Sequence, residues 1–364
     1  MAVYLVDGDS FDFVEGYAAA DLYTKAEINK LWYVNASAVT LDVEHISAEI
    51  LCIGNYLGTI SAASSATSVA TVAVSGKKVN IYGKSTGTAT VTITDSFSGT
   101  SKTVAVTVAA NFPSATLNNN TPAQIRAAAR AGVAAQLWSV GDRIGIALSG
   151  TVGGITLNQA RYAYIIGFDH NAAVEGVNTI HFQMGFSALS GGANIAYVDS
   201  AYGTQVSSDR FTMNTSATDA GGWAASAMRS SICAQFLAAM PEAWQSALSG
   251  CVKYSDNVGG ASGAVSNMTA TVDKVFLLSQ YEAQGATGNV NAGESVYQKQ
   301  YDYYANGNSR IKYKHNATGT TAIWWLRSTD IRYSDRFRTI SESGGSNPTA
   351  ANYSYGFAPA FMVA

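Results

Sequence analysis

Alternation of apolar and polar residues is the feature of this 364-residue chain that most restricts its fold. Between residues 70 and 108, valine and isoleucine recur at every second position, in short runs separated by the turn-forming clusters SGKK, GKSTG and SFSGT. A two-residue period places alternate side chains on one face of a strand, and regularly spaced turns favour antiparallel pairing. The pattern predicts an antiparallel β-sandwich with strands at Val72 and Val74, Val79 and Ile81, Val91 and Ile93, and Val104, Val106 and Val108.

The same stretch resembles a known module. The residues VATVAVSGKKVNIYGKSTGTATVTI are similar to the bacterial immunoglobulin-like domain, in which a Gly-containing turn is followed by a strand of the T-A-T-V-T type. The resemblance covers residues 35–110. It implies a spacer or adhesive module without catalytic residues.

Composition excludes several classes of protein. Hydrophobic residues make up 47% of the chain, enough for packed cores, so a disordered protein is excluded. Charged residues make up only 13%, which favours a β-rich extracellular or virion protein over a helical cytosolic enzyme. The net charge of -3 gives no electrostatic reason to expect nucleic acid, and no run of about 18 apolar residues is present. We therefore expect no nucleic-acid partner and no membrane insertion.

Residues 1–34 are expected to form an attachment or oligomerisation segment. Thr24 and Glu27 have the spacing of a capping box, which predicts a short helix through Lys30. Its apolar stripe consists of Ile28, Leu31 and Trp32. A helix of this length needs a packing partner. The start MAVYLVDGDSFDF lacks the basic region of a secretory signal, so we expect release by lysis or within a particle.

Residues 111–364 mix helical and strand periodicities, which predicts an α+β unit. The run PAQIRAAARAGVAAQLW predicts one amphipathic helix, and AASAMRSSICAQFLAA predicts a buried helix. Strands are predicted in DRIGIALSG, RYAYIIGFDHN and NTIHFQMGF, and Ser279 with Glu282 predicts a capped helix. Residues 353–361 alternate large and small side chains, which predicts a final strand inside the fold.

Candidate catalytic and metal-binding patterns are sparse. The three cysteines, Cys52, Cys233 and Cys251, form no CxxC pair and no zinc-ligand spacing, so we expect buried thiols. Asp169 and His170 are candidates for a catalytic dyad, but no G-x-S-x-G or H-E-x-x-H motif accompanies them. A structural role for His170 is therefore favoured. We expect no enzymatic activity, no cofactor and no metal ion.

A second resemblance rests on an ordered series of motifs: WSVGDRI, YIIGFDHN, GGWAASAMRSSICAQFLAAMPEAWQSAL, DKVFLLSQYEA, SRIKYKHN, WWLRS and YSYGFAPAF. Together they resemble a C-type-lectin-like domain of phage and prophage tail-associated proteins and cover residues 111–364. Residues 324–361 resemble the variable region of proteins diversified by retroelements, of the major tropism determinant type. In that family a template copy is reverse-transcribed with errors at adenines and written back over the 3′ end of the gene. The resemblance implies a homotrimer.

The resemblance also divides residues 324–361 into two sets. The frame is expected to comprise Trp324, Trp325, Leu326, Phe337, Gly356, Phe357, Pro359 and Phe361. The ligand-binding face is expected to comprise Thr329, Ile331, Arg332, Tyr333, Asp335, Arg336, Arg338, Ser341, Ser343, Asn347, Thr349, Asn352 and Tyr353. Tyr and Arg are frequent binding hot spots, and Ser and Asn supply adaptable hydrogen bonds. The mixed charge of this face favours a protein or glycan ligand over nucleic acid.

These expectations combine into one hypothesis. Residues 1–34 attach to other tail proteins or oligomerise, residues 35–110 form a spacer, and residues 111–364 bind a host cell-surface protein or glycan. The protein would act outside the host cell, as part of a phage tail. The alternative is a bacterial surface or secreted adhesin of fixed specificity built from the same modules. An enzyme of the formylglycine-generating type shares the lectin-like fold, but Cys233 and Cys251 lie outside the C-terminal part where its cysteine pair is expected.

Overall fold

The computed structural model describes residues 6–7, 10–11, 32–54 and 57–364. Contacts divide the chain into two compact units, Met1–Phe112 and Pro113–Ala364. Most of the regular structure is β-strand, distributed over several sheets, and the described helices are short. The helix predicted around residues 24–30 lies outside the described residues.

Strands of the first unit form two four-stranded sheets and a short hairpin. Their bounds are β1 (Val6–Asp7), β2 (Ser10–Phe11), β3 (Trp32–Val34), β4 (Ala38–Leu41), β5 (Ser47–Gly54), β6 (Ile60–Ser64), β7 (Ala70–Ser75), β8 (Lys78–Gly83), β9 (Gly87–Asp95) and β10 (Ser101–Val108). One sheet has the antiparallel order β3-β5-β8-β7, and the other has the order β4-β10-β9-β6, in which β4 and β10 are parallel. The strands β1 and β2 pair with each other.

The alternating valines and isoleucines of β8 to β10 form the core of this unit, whereas Val72 of β7 is only half-buried and Val74 is 39% exposed. Val79 and Ile81 of β8 and Val91 and Ile93 of β9 are 0% exposed. The strands β7 to β10 lie where the alternation predicts them. Trp32 differs from its prediction as part of a helical stripe, because it lies in β3, where its indole N–H donates to Thr100 Oγ1 at 2.9 Å.

The second unit contains more strands than the first and all the described helices. Its strands are β11 (Arg143–Val152), β12 (Ile155–Phe168), β13 (Ile180–Phe186), β14 (Ile195–Ala196), β15 (Leu248–Ser249), β16 (Cys251–Asp256), β17 (Met268–Asp273), β18 (Val275–Phe276), β19 (Lys312–Lys314), β20 (Ala317–Ala322), β21 (Trp324–Thr329), β22 (Arg336–Ile340), β23 (Ser346–Ala350) and β24 (Ala360–Val363). Its α-helices are Pro122–Arg130, Ala134–Leu137, Ala172–Glu175, Gly222–Ala225, Cys233–Ala239, Glu242–Ala247, Gln280–Gln284, Glu294–Tyr297 and Asp302–Ala305, with a π-helical turn at Met228–Ile232 and 3-10 turns at Leu117–Asn119 and Val265–Asn267.

The main sheet of this unit has the order β11-β12-β13-β24-β15, and β18 also pairs with β24. The last strand therefore lies inside the sheet, as expected from the C-terminal alternation. Two smaller sheets carry residues that are described in the next subsection: the hairpin β16-β17 and the three-stranded sheet β21-β22-β23. Ser279 and Glu282 form the predicted capping box, in which each backbone N–H donates to the other side chain.

Two predicted elements are shorter than expected. The helix predicted over residues 122–138 is broken at Gly132, whose φ of 70° is unfavourable inside a helix, and it continues at Ala134. The final strand begins at Ala360 and not at Tyr353. Pro359 has no N–H to donate to a ladder, and residues 353–357 make only isolated bridges.

For several single residues, the observed burial agrees with the prediction. The three cysteines are free and buried. Met228, Ile232 and Phe236, which share the predicted buried helix face, are at most 1% exposed. Among the described residues, no helix is long and apolar enough to cross a membrane.

Candidate binding surface

Strand β21 is buried on both faces and carries the two adjacent tryptophans. Trp324 and Trp325 are 0% exposed. Their indole N–H groups donate to the backbone oxygens of Arg310 at 2.9 Å and Phe211 at 2.8 Å. A buried indole N–H needs such a partner, so both rings are fixed by packing and by hydrogen bonds.

The other predicted frame residues are also buried: Leu326, Phe337, Gly356, Phe357, Pro359 and Phe361. Phe357 stacks on Phe211 and Phe361 stacks on Phe182, both with ring centroids 5.4 Å apart. A Cβ on Gly356 would lie 2.7 Å from the Ile323 backbone oxygen. This position therefore requires glycine because of close backbone approach.

The predicted binding residues separate by exposure. Those exposed are Arg332, Tyr333, Ser343 and Asn347. Those of intermediate exposure are Ile331, Asp335, Arg336, Ser341, Thr349, Asn352 and Tyr353. Those buried are Thr329 and Arg338. We call the exposed and intermediate residues of this set the recognition surface.

Thr329 and Arg338 are not available to a ligand, so their predicted place on the binding face is corrected. Thr329 is 2% exposed at the end of β21, where it pairs with Phe337 of β22. Arg338 is 4% exposed and donates from Nη1 to Asp330 Oδ2 at 2.5 Å and from Nε to Gln280 Oε1 at 2.8 Å. Strand β22 lies between β21 and β23, so some of its side chains are covered and cannot face solvent.

Asp330 anchors the loop that follows β21, a role that sequence reasoning missed. Its carboxylate is 0% exposed and accepts hydrogen bonds from the Arg332 backbone N–H at 3.0 Å, from the Arg332 guanidinium and from Arg338. Burial would raise the pKa of Asp330, but the hydrogen bonds from the two arginines outweigh burial and keep this pKa below its usual value. The sequence signal for this role of Asp330 is the D-x-R spacing. It brings the carboxylate next to the guanidinium of the arginine two residues later.

Tyr333 lies between two guanidinium groups. The Arg332 Cζ is 5.3 Å and the Arg336 Cζ 4.1 Å from the ring centroid, within the range of cation–π attraction. Tyr333 is 37% exposed. Arg336 Nε lies 3.4 Å from Asp335 Oδ1 and, within the described residues, has no hydrogen-bond partner. This nitrogen is itself buried, so the unpaired donor is not open to solvent.

The other part of the recognition surface lies on β23 and the residues that follow it. Asn347 is exposed on β23, opposite Thr339 of β22. Tyr353 stacks on Tyr355 with centroids 5.9 Å apart. Asn352 Oδ1 is buried and has no hydrogen-bond partner among the described residues. The Tyr353 ring is thus held by a neighbouring ring while part of its surface stays open.

A buried ion network surrounds Arg327 of β21. Arg327, 0% exposed, pairs with Glu282, whose other carboxylate oxygen accepts from Lys253 Nζ at 2.9 Å. Lys253 Nζ also lies 2.6 Å from Glu175 Oε1 and 2.8 Å from the Tyr301 hydroxyl. Burial would raise the pKa of Glu282, but the charges of Arg327 and Lys253 outweigh burial and lower that pKa. The network thus joins β21 to four other segments of the unit.

Two groups of side chains in this network have metal-ligand spacing. His170, Glu175 and Glu282 bring one ligand atom each within 4.8 Å of one another, as do Glu175, His181 and Cys251. Lys253 already places its ammonium on both glutamates. A divalent cation would have to share this buried site with a positive charge, so the arrangement fits a structural ion network better than a metal centre.

The candidate dyad of Asp169 and His170, for which a structural role was favoured, is not arranged for proton transfer. The Asp169 carboxylate accepts from the Thr179 backbone N–H at 2.8 Å, and the His170 ring stacks on Tyr301 with centroids 3.6 Å apart. Burial lowers the pKa of His170 to about 3, with a further contribution from Lys253. A neutral, stacked imidazole fits the structural role that was favoured for His170.

A Gly-rich loop, residues 257–267, lies beside the recognition surface. The Asp219 backbone N–H donates to the Ser334 oxygen at 3.1 Å, while Asp219 Oδ1 accepts from the Gly260 N–H at 2.9 Å. A Cβ on Gly263 would lie 3.2 Å from Ile331 Cγ2. The sequence NVGGASGAVSN marks a loop by its glycines, but its position next to residues 331–334 depends on long-range contacts.

Comparisons with known proteins give one family match and several partial structural similarities. The family described as "Domain of unknown function (DUF6273)" matches residues 202–364, which include the whole recognition surface. A search of curated proteins gave no match. The protein is similar to the surface layer protein SbsC, domains 1–6, with 23% identity over 22% of this chain and 13% of that chain and a TM-score of 0.20.

Other SbsC fragments give comparable values. For domains 4 and 5 the identity is 21% over 22% of this chain and 51% of that chain, with a TM-score of 0.19. For domains 5–6 the identity is 15% over 44% of this chain and 62% of that chain, with a TM-score of 0.19. The chain thus spans less than two thirds of each of these surface-layer structures.

Proposed function

We propose that this protein is a receptor-binding protein of a phage tail, which binds a host cell-surface protein or glycan through the recognition surface. One observation carries the proposal. Directly after a strand in which every residue is buried, the chain displays Arg332, Tyr333, Ser343 and Asn347 on an anchored framework. Binding itself is the mechanism, without covalent chemistry.

The frame residues are buried and the surface residues are exposed or partly exposed. This separation is compatible with rapid change of ligand specificity. Substitutions of exposed residues away from special features usually change stability by less than about 0.5 kcal/mol. Replacing a buried tryptophan by alanine costs about 3–5 kcal/mol. A segment that places Trp324 and Trp325 in the core and Tyr333 at the surface therefore tolerates new side chains where a ligand is recognised. This is the property that a retroelement-diversified variable region needs.

The proposal includes a finer fold assignment. We assign the first unit to an immunoglobulin-like spacer, supported by its two four-stranded sheets with alternating buried positions. We assign the second unit to a C-type-lectin-like domain, supported by the ordered motifs of residues 111–364 and by the final strand inside the main sheet. Residues 1–34 would attach to tail proteins, and the protein would act as a trimer, so that repeated weak sites gain by avidity.

A bacterial surface adhesin of fixed specificity is the second candidate, since the same surface would serve it without diversification. Mass spectrometry of purified particles from the source population separates the two. Peptides of this chain in tailed particles support the phage protein. Peptides found only in the cell envelope fraction contradict it.

The test of a diversified surface is deep sequencing of codons 322–364 across a population of the source. We expect substitutions at adenines of the codons for Arg332, Tyr333 and Asn347, while the codons for Trp324 and Gly356 stay constant. Burial of Arg338 adds a discriminating position, because changes there should be rare although it lies within the same segment. Substitutions spread evenly over frame and surface codons, or a uniform segment, contradict the diversified function.

A further inference from the structure

Strand β17 is an edge strand. It pairs with β16 and, within the described residues, with no other strand. Next to the paired residues, the Asn257 N–H donates to the Asn267 oxygen at 3.1 Å, which fixes the phase of the antiparallel ladder. In such a ladder every second residue bonds to the partner strand. The backbone N–H and C=O groups of Ala270 and Val272 therefore point away from β16.

These outward backbone groups are open to another chain. Those of Ala270 and Val272 have no hydrogen-bond partner in the part of the chain that the structure describes. Both residues are exposed, Val272 to 64%. The strand MTATVD contains no proline, and it pairs without a register shift. Free donors and acceptors along an edge that is not blocked by proline or by a bulge form a template for a further strand.

A groove of about 350 Å³ lies between this edge and the helix Cys233–Ala239. Its strand side includes Val272 and Val275, and its helix side includes Ala234 and Leu237. The volume is within the range of ligand-binding pockets, about 300–1,000 Å³. A strand edge on one side and a helix on the other match the requirements of an extended peptide, whose backbone bonds to the edge while its side chains contact the helix.

The charges of the groove restrict the occupant further. They belong to Arg229, Asp273 and Lys274. The Asp273 carboxylate is 7% exposed and accepts from Arg229 Nε at 2.6 Å and from the Trp223 indole N–H at 3.0 Å. Lys274 is exposed, donates to the Gln245 backbone oxygen at 3.1 Å and forms no ion pair within the described residues. One positive charge therefore remains at the groove, and an acidic side chain of the occupant would complement it.

We infer that the edge of β17 and the helix Cys233–Ala239 form a strand-addition site for an extended segment of a protein partner, which places an aliphatic side chain against Leu237 and an acidic one near Lys274. The site goes beyond the proposed function, since no residue of the recognition surface lines the groove. A second copy of the chain fits less well as occupant, because pairing of two β17 edges would bring two positively charged grooves together.

The test is selection of a random dodecapeptide display library on the immobilised full chain. We expect enrichment of peptides that alternate aliphatic residues with other residues and carry one Asp or Glu. Synthetic copies of an enriched peptide, each N-methylated at one residue, then report on the backbone. Methylation should weaken binding at least about tenfold at every second position, because it removes a ladder hydrogen bond there.

Ala234→Glu and Ala238→Glu are a matched pair. Both alanines are exposed on the same helix, but only Ala234 lines the groove. Ala234→Glu should weaken the enriched peptide at least about tenfold, because the new side chain occupies the groove and repels the acidic residue. Ala238→Glu should leave the affinity within about twofold. Unchanged thermal melting checks that both variants are folded, and equal weakening by the two variants overturns the site.

Two further variants address the strand edge and the charge. Val272→Pro removes an outward N–H donor, a change that an edge strand tolerates, and should weaken the peptide at least about tenfold. Lys274→Met should remove the preference for the acidic residue. Full affinity in Val272→Pro, or an acidic preference that persists in Lys274→Met, contradicts the proposed mode of binding.

Other outcomes also decide. No enrichment, or an effect of N-methylation without a two-residue period, overturns the inference. Peptides whose binding is lost in Tyr333→Ala and kept in Ala234→Glu bind the recognition surface, so they support the proposed function and overturn strand addition. If light scattering shows self-association that Val272→Pro abolishes, a second copy occupies the edge and the separate protein partner is wrong.

Discussion

Arg327 in β21 and Arg336 in β22 show how one short segment serves two purposes. Arg327 is 0% exposed, pairs with Glu282, and also donates to Ser255 Oγ at 3.0 Å and to the Leu277 oxygen at 2.8 Å. The Arg336 side chain is 36% exposed, and its ion pair with Asp335 is 3.4 Å long. The first arginine is surrounded by partners within the protein, whereas the second stacks on Tyr333 and is only partly buried.

The difference separates buried residues, which stabilise the fold, from the partly exposed residues of the recognition surface. Strand β21 is fastened by indole hydrogen bonds and by the ion network of Glu282, Lys253 and Glu175. Beyond Asp330, Phe337 and Arg338 are also buried, while Arg332 and Tyr333 are exposed. Breaking a buried ion pair is costly, while exposed pairs contribute little. Substitutions in the two groups should therefore have separable effects.

The largest effect is expected from Arg327→Met. The change leaves Glu282 buried with Lys253 as its remaining cation, and removal of one partner from such a pair costs about 3–5 kcal/mol. Chemical denaturation measures the loss as a lower midpoint. Arg336→Met is the matched control, with an expected change below about 0.5 kcal/mol. Similar losses in the two variants would contradict the distinction between the arginines.

The next effect depends on pH and concerns Glu294, below the same strand. Burial raises the pKa of Glu294 to about 7 from its ordinary value of 4.5. The raised pKa means that the contribution of Glu294 to stability is fully present below pH 4.5 and is lost as pH rises to about 7, by an amount on the order of 3 kcal/mol. Glu294→Gln should remove this decline between pH 5 and 8 because the amide stays neutral. Denaturation midpoints at the two pH values measure it.

Asp219→Asn is a control for the pH range that is assigned to Glu294. Burial raises the pKa of Asp219 to about 6 from 3.8, so its contribution is lost between pH 4 and 6. Asp219→Asn should flatten the stability profile between pH 4 and 6 and leave the decline between pH 6 and 7, which belongs to Glu294, in place. Identical profiles for the two variants would contradict the assignment to Glu294.

A smaller effect is expected at the glycines of the segment. Gly356→Ala places a Cβ 2.7 Å from the Ile323 oxygen and 2.8 Å from Ala196 Cβ, and such overpacking costs about 1–3 kcal/mol. A Cβ on Gly345 would meet only Ser341 Oγ, at 3.5 Å, which is an ordinary contact. Gly345→Ala should therefore leave the melting temperature nearly unchanged. A comparable drop at both positions would mean that close approach is not what requires glycine at 356.

Local patterns were sufficient to predict strands β7 to β10 of the first unit and the Ser279–Glu282 capping box, because period and capping depend on neighbours in sequence. They were not sufficient for Arg327 or Arg338. The partner of Arg327 is Glu282, 45 residues earlier, and that of Arg338 includes Gln280, 58 residues earlier. Whether an arginine is a core residue or a surface residue thus depends on contacts that no window around WWLRS contains.

The smallest effect on stability is expected where the effect on binding is greatest. Tyr333→Ala and Asn347→Ala remove exposed side chains, so the free energy of unfolding should change by less than about 0.5 kcal/mol. Tyr333 lies at the centre of the cation–π cluster, and truncation of such an anchor commonly reduces affinity strongly. Binding to isolated cell envelopes of the host and thermal melting are measured on the same samples. A loss of binding with unchanged melting assigns Tyr333 to the recognition surface, whereas a parallel loss of both would make this ring part of the frame.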